Sequence, residues 1–123
     1  MAKRVLDVGN CFADHTSLRS LMEEHFDVEV VRVHGWNDAI AELKAAPADL
    51  VLVNRKLDRD GSDGLEVIRQ IKADPQFAGT PCMLITNYAD HQQRAVQAGA
   101  ERGFGKAELH DPETVEKLRR FLE

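Results

Sequence analysis

Short apolar runs alternate with segments of helical period along the first half of the chain. Arg4 to Val8 reads as a strand. Leu18, Leu21, Met22 and Phe26 then share one face of a 3.6-residue period, which predicts a helix. Val28 to Val33 is β-branched and strand-like. Trp36, Ala39, Ile40 and Leu43 form a second helical stripe, stopped by Pro47. Leu50 to Val53 is apolar without a break, as expected for a central strand covered on both faces.

The second half repeats the pattern. Asp63 is placed to cap a helix whose inner face is Val67, Ile68 and Ile71, and Asp74-Pro75 ends it. Cys82 to Ile85 reads as a fourth strand, entered from the turn Gly79-Thr80-Pro81. Ala89 to Ala98 predicts a short polar helix, and Glu101 to Phe104 a weak fifth strand. Asp111-Pro112 opens a last helix that carries Val115, Leu118 and Leu122 inward. Five strands alternating with five helices predict an α/β doubly wound parallel sheet. Residues 1–123 show no repeat, linker or low-complexity stretch, so they read as a single domain.

Charge and cysteine usage narrow the class of partner. The chain carries 16 basic and 21 acidic residues, a formal charge of -5, which argues against nucleic acid as a direct partner. The N-terminus is charged rather than signal-like, and no apolar run reaches the length of a membrane span. Cys11 and Cys82 lie far apart with no paired-cysteine motif, as in a reduced, cytoplasmic setting. They read as a loop thiol and a core thiol, with redox sensing by Cys11 the alternative. His15, His25, His34, His91 and His110 lack ligand spacing, so no metal site is expected from them.

In doubly wound sheets the functional crevice lies beyond the carboxyl ends of the strands, at the switch in strand order. For the order 2-1-3-4-5 its lining is Gly9 and Asn10, Asn54, Thr86 and Asn87, and Lys106. The set is polar and almost uncharged.

These segments, in this order and spacing, resemble the response-regulator receiver domains of two-component signalling. Ala48 to Asn54 is similar to the strand that delivers the phospho-acceptor, and Thr80 to Thr86 to the strand ending in Ser or Thr. Gln97-Ala98-Gly99-Ala100 leads to Lys106 as in the family, and Asp63 to Val67 matches the start of its third helix. The resemblance covers nearly the whole chain. It implies a flavodoxin-like fold, order 2-1-3-4-5, with helices on both faces.

It also implies a defective site. The family's acceptor aspartate is Asn54 here, and an amide cannot form an acyl phosphate. The acidic pair that holds Mg²⁺ falls on Gly9 and Asn10, neither of which offers an anionic oxygen. The switch aromatic falls on Gly103, and the proline after the lysine on Ala107, so a cis peptide is not expected there. Thr86 and Lys106 persist. Either they are structural, with the lysine bonded to Asn54 or a carbonyl, or they retain an anion site.

Other acids bear on the same crevice. Asp7, within the first strand, reads as a hydrogen-bonded structural acid or as a displaced metal ligand. The loop Asp58 to Gly64 fails the EF-hand pattern at its glycine and at its twelfth position. It reads as an acidic turn and helix cap, with Asp58 or Asp60 as the candidate for a relocated phospho-acceptor.

The expectation is therefore a stand-alone pseudo-receiver, not an enzyme and without a cofactor, that acts through protein contacts. By analogy with receivers, its contact face is the fourth helix, fifth strand and fifth helix. That face offers Gln92, Gln93, Arg94, Gln97, Arg102, Lys117, Arg119 and Arg120, for a histidine kinase, another signalling protein or a second copy. The alternative is an ordinary solvated face. Two rival functions remain: a phospho-accepting receiver using Asp58 or Asp60, and a flavodoxin-like cofactor binder. Gly9 to Asp14 makes a poor phosphate loop for the second of these.

Overall fold

A computed structural model describes residues 2–123. Five parallel strands alternate with five helices. They are β1 (Lys3–Val8), α1 (Phe12–His25), β2 (Val28–Val33), α2 (Trp36–Ala45), β3 (Leu50–Asn54), α3 (Gly64–Ala73), β4 (Cys82–Ile85), α4 (Ala89–Gln97), β5 (Glu101–Phe104) and α5 (Pro112–Leu122). The sheet order is β2-β1-β3-β4-β5, as the alternation and the resemblance predicted.

Strand alternation divides the core into two layers. Leu6, Val8, Val51, Val53 and Leu84 face one way, onto Ala39 and Leu43 of α2, Val67, Ile68 and Ile71 of α3, and Ala95 of α4. Val5, Leu50, Leu52, Met83 and Ile85 face the other, onto Leu18, Leu21 and Met22 of α1 and Leu118 and Leu122 of α5. Phe104 is fully buried in this second layer. Asp7 shares the parity of Val5, so its carboxylate enters the layer under α1.

Local chemistry explains the element ends. Asp63 caps α3, its Oδ1 accepting from Leu65 N at 3.0 Å. Asp111 precedes Pro112 at the start of α5, but its side chain makes no cap bond there. Gly64 is required: a Cβ there would lie 2.0 Å from Asn54 O, so the start of α3 rests directly on the end of β3. No peptide bond among the described residues is cis, including the one joining Lys106 to Ala107.

Candidate functional site

Asn54 sits at the end of β3 and turns its amide inward. Its Nδ2 donates to Lys56 O at 2.7 Å and to Gly9 O at 3.3 Å. Both N–H groups are thereby committed to the corner between β1 and the loop after β3. Lys106, in a 3-10 turn after β5, does not reach Asn54, contrary to one expectation from the sequence. Its Nζ lies 2.7 Å from Oδ2 of Asp14, in the first turn of α1. The Lys106 hydrogen bond holds the Asp14 carboxyl below its ordinary pKa, against a smaller opposing effect of burial.

Thr86 Oγ1 accepts from Tyr88 N at 3.3 Å and lies 3.3 Å from His91 Nδ1. Asn87 Oδ1 accepts from Ala107 N at 3.1 Å, which ties the end of β4 to the turn after β5. Asn54, Thr86, Asn87 and Lys106 line one open cleft of about 240 Å³. Gly9 and Asn10 lie at the neighbouring corner, and both are buried.

Beneath that corner is a buried polar cluster. Asp7 is fully buried, and its carboxylate meets Asn10 Nδ2 through one oxygen and His15 Nδ1, at 2.8 Å, through the other. Burial lifts the Asp7 pKa, and the bonds from Asn10 and His15, with the charges of His15 and Arg32, oppose the rise. Of the two readings of Asp7, the geometry fits the structural acid. Asn10 Oδ1 is buried without a partner, while its main-chain oxygen accepts from Arg32 Nε at 3.2 Å.

The donor set does not suit the divalent cation implied by the family. A hard cation wants several anionic oxygens. Gly9 has no side chain, Asn10 and Asn54 are amides, and Asp7 is taken up by His15 and Asn10. The unpartnered Asn10 Oδ1 is one neutral oxygen, too little for such a site.

The acids of the loop 58–64 have partners outside the cleft of Thr86 and Lys106, although Asp58 N donates to Gly9 O at 3.0 Å. Asp58 turns toward the edge of the sheet, 3.3 Å from Arg32 Nη2 and 3.1 Å from His34 Nδ1. Asp60 closes its own turn by accepting from Ser62 N at 2.9 Å. Neither borders the cleft of Thr86 and Lys106. The acid that does meet Lys106 is Asp14, which the sequence reading did not single out. Nothing local in the sequence marks it, because the two residues are brought together by the fold alone.

The proposed contact face is also altered. Arg94 and Arg102 are exposed on α4 and β5. Arg119 instead leans over the Phe26 ring, 5.7 Å from its centroid, and pairs with Glu116 and Glu123. It belongs to the α1–α5 side. Arg120, also expected on this face, reaches Glu101 of β5 at 3.0 Å. Gln92 is buried: its amide donates to Leu84 O and accepts from Gly103 N, so it joins β4 to β5. Gly103 is buried as well, and a Cβ there would lie 2.4 Å from Leu84 O. The space beside position 103 is therefore filled by the backbone of β4.

The response regulator receiver domain family matches residues 12–119, and the chain belongs to that family, the receivers of two-component signalling. Solved structures agree on the fold. A putative response regulator from Chloroflexus aurantiacus is similar with a TM-score of 0.84 at 17% identity, covering 98% of each chain. The chemotaxis response regulator CheY4 of Vibrio cholerae is similar with a TM-score of 0.77 at 19% identity, covering 99% of this chain and 100% of its own. A signal receiver domain of a DNA-binding response regulator from Colwellia psychrerythraea gives 0.74 at 23% identity, covering 96% and 98%. Among curated protein sequences, none matches this chain. No helix among the described residues is long and apolar enough to cross a membrane.

Proposed function

We propose that this receiver domain signals through protein contacts and not through its own phosphorylation. One observation carries the reading: an amide and not a carboxylate ends β3, and the groups around it are bonded to partners of their own. The Asn54 amide is spent on Gly9 O and Lys56 O, and Lys106 is spent on Asp14. An acyl phosphate needs a free carboxylate beside a metal and a cation, and here the amide, the buried Asp7 pair and the Asp14 pair stand in their places. The reading places the domain in the cytoplasm, in the company of a histidine kinase or another signalling protein, or of a second copy of itself.

The contact face we infer is Arg94, Arg102 and Arg120, on α4, β5 and α5. A basic stripe on a chain of net charge -5 favours an acidic partner surface. The reading with Asp58 or Asp60 as a relocated acceptor is less favoured, since the Asp58 carboxylate is paired with Arg32 and His34 and Asp60 closes its own turn. The test is an amide-resolved NMR titration with Mg²⁺. Unmoved resonances at Gly9, Asn10 and Asn54 are expected, whereas saturable shifts at those three would overturn the metal-independent reading. For the face, Arg94→Glu with Arg102→Glu is expected to abolish association with whichever signalling protein binds the native domain, and undiminished binding would remove the face.

A further inference from the structure

A second concavity, of about 500 Å³, lies between the first turns of α2 and α3 and the loop that joins β3 to α3. It shares no lining residue with the cleft of Thr86 and Lys106. Main-chain bonds fix its loop wall. Leu57 N donates to Ser62 O and Gly61 N to Leu57 O, both at 2.9 Å, and Asp58 N donates to Gly9 O at 3.0 Å. The Asp58 carboxylate, paired with Arg32 and His34, ties the same loop to β2. The wall is therefore formed in advance, which lowers the ordering cost of binding.

Apolar and acidic residues share the lining. Leu57 and Val67 are buried in the layer under α2 and α3, and Trp36 packs half-buried against that layer. All three border the concavity. Tryptophan is the side chain whose face holds a cation best. The acids that line it are Asp38, Asp60, Asp63 and Glu66, against a single guanidinium, Arg59. Among the described residues only Glu66 of these four acids has a counter-charge, from Arg69. The other three accept from main-chain N–H groups, which bring no unit charge: Asp38 from His34 at 2.7 Å, Asp60 from Ser62 at 2.9 Å and Asp63 from Leu65 at 3.0 Å. An excess of one sign around a concavity with an apolar floor favours the opposite charge there.

We propose that this concavity binds a small organic cation, an ammonium or guanidinium group carried on an apolar body. The charged head lies between Trp36 and the acids, and the body lies against Leu57 and Val67. A volume of about 500 Å³ is in the range of small-molecule sites. Charge excludes an organic anion of the same shape. A bare metal ion does not fit either, because no three ligating side chains among the described residues converge. The two requirements, a flat aromatic face and an excess of carboxylates, are met together by an organic cation.

Trp36 is the only tryptophan in the chain, so its fluorescence reports on this concavity directly. The experiment titrates the protein at low ionic strength with benzyltrimethylammonium, and separately with benzyl alcohol and with benzoate. Trp36 emission and amide-resolved NMR follow each titration. Saturable changes at Trp36, Asn37, Ser62 and Gln70 are expected with the ammonium, about tenfold weaker binding with the alcohol, and none with benzoate. The double variant Asp60→Asn with Glu66→Gln should weaken the ammonium about fivefold, the scale of two exposed charge contacts. Both residues are exposed, so folding is not at stake. Trp36→Leu, followed by NMR, should bring the ammonium down to the affinity of the alcohol. Absence of saturable changes with the ammonium, equal binding of benzoate, or indifference to the double variant would each overturn the proposal. An undiminished preference for the ammonium in Trp36→Leu would overturn the placement of the charged head.

Discussion

Asn54 donates to Lys56 O at 2.7 Å, so its amide acts as a brace for the loop that follows it. The second N–H, aimed at Gly9 O, ties that loop to the end of β1. A carboxylate is nearly the same shape but cannot donate when ionised. Asn54→Asp should therefore place an anion against two carbonyl oxygens and cost roughly 1–3 kcal/mol at neutral pH. Urea denaturation checks this. The loss should shrink on acidification, because a protonated carboxyl recovers one donor.

The buried pair of Asp7 and His15 sets a larger stake. His15→Ala leaves a fully buried carboxylate with Asn10 as its remaining side-chain partner, and should cost about 3 kcal/mol. Burial raises the Asp7 pKa in the folded chain, so the folded state binds this proton more readily than the unfolded one. Its contribution is present below the ordinary carboxylate pKa and is lost as pH rises through the folded value. Asp7→Asn should flatten that part of the stability profile, measured by denaturation as pH rises from the ordinary carboxylate range.

Asp14 behaves in the opposite sense. Its pKa is lowered, chiefly by the Lys106 hydrogen bond, so the pair stabilises above the ordinary carboxylate pKa and fades as pH falls through the folded value. Both side chains are about a third exposed, which limits the effect to under about 1 kcal/mol. Asp14→Asn should thus lower the denaturation midpoint slightly at pH 7 and progressively less as the solution is acidified.

Placing an aromatic at position 103 should fail. A Cβ at Gly103 meets Leu84 O at 2.4 Å and Met83 Cβ at 3.2 Å, both in the adjoining strand. Even Gly103→Ala should cost about 2 kcal/mol, as overpacking of a filled core does. Gly103→Tyr should lower the thermal midpoint further, and a tyrosine accommodated without loss would contradict this account of the position.

Much of the architecture was legible because burial writes itself as period. Leu50 to Val53 could only be a strand covered twice, and Leu18, Leu21 and Met22 only a helix laid on one face. Asp63 declared the start of α3 by local chemistry that needs no tertiary context. The residue types at Gly9, Asn10 and Asn54 were equally plain, since sequence alone decides whether a carboxylate is present. Partners were another matter. Asp7 and His15 are eight residues apart, and strand parity was a clue to their meeting, for it turns Asp7 toward α1. Asp14 and Lys106 meet across 92 positions of chain, where no pattern of period or spacing reaches. Arg119 and Arg120 differ by one helical step of about 100°, enough to send one toward Phe26 and the other toward Glu101.

The central claim is that the chain has kept the receiver fold and lost its phosphorylation. The most direct measurement is intact mass after incubation with Mg²⁺ and acetyl phosphate, with peptide mapping of any adduct. The unmodified mass is expected, under conditions that phosphorylate a receiver with a complete acidic site. A phosphoryl adduct, whether on Asp14, Asp58 or Asp60, would contradict the account and mean that another carboxylate has taken over the work of the missing aspartate.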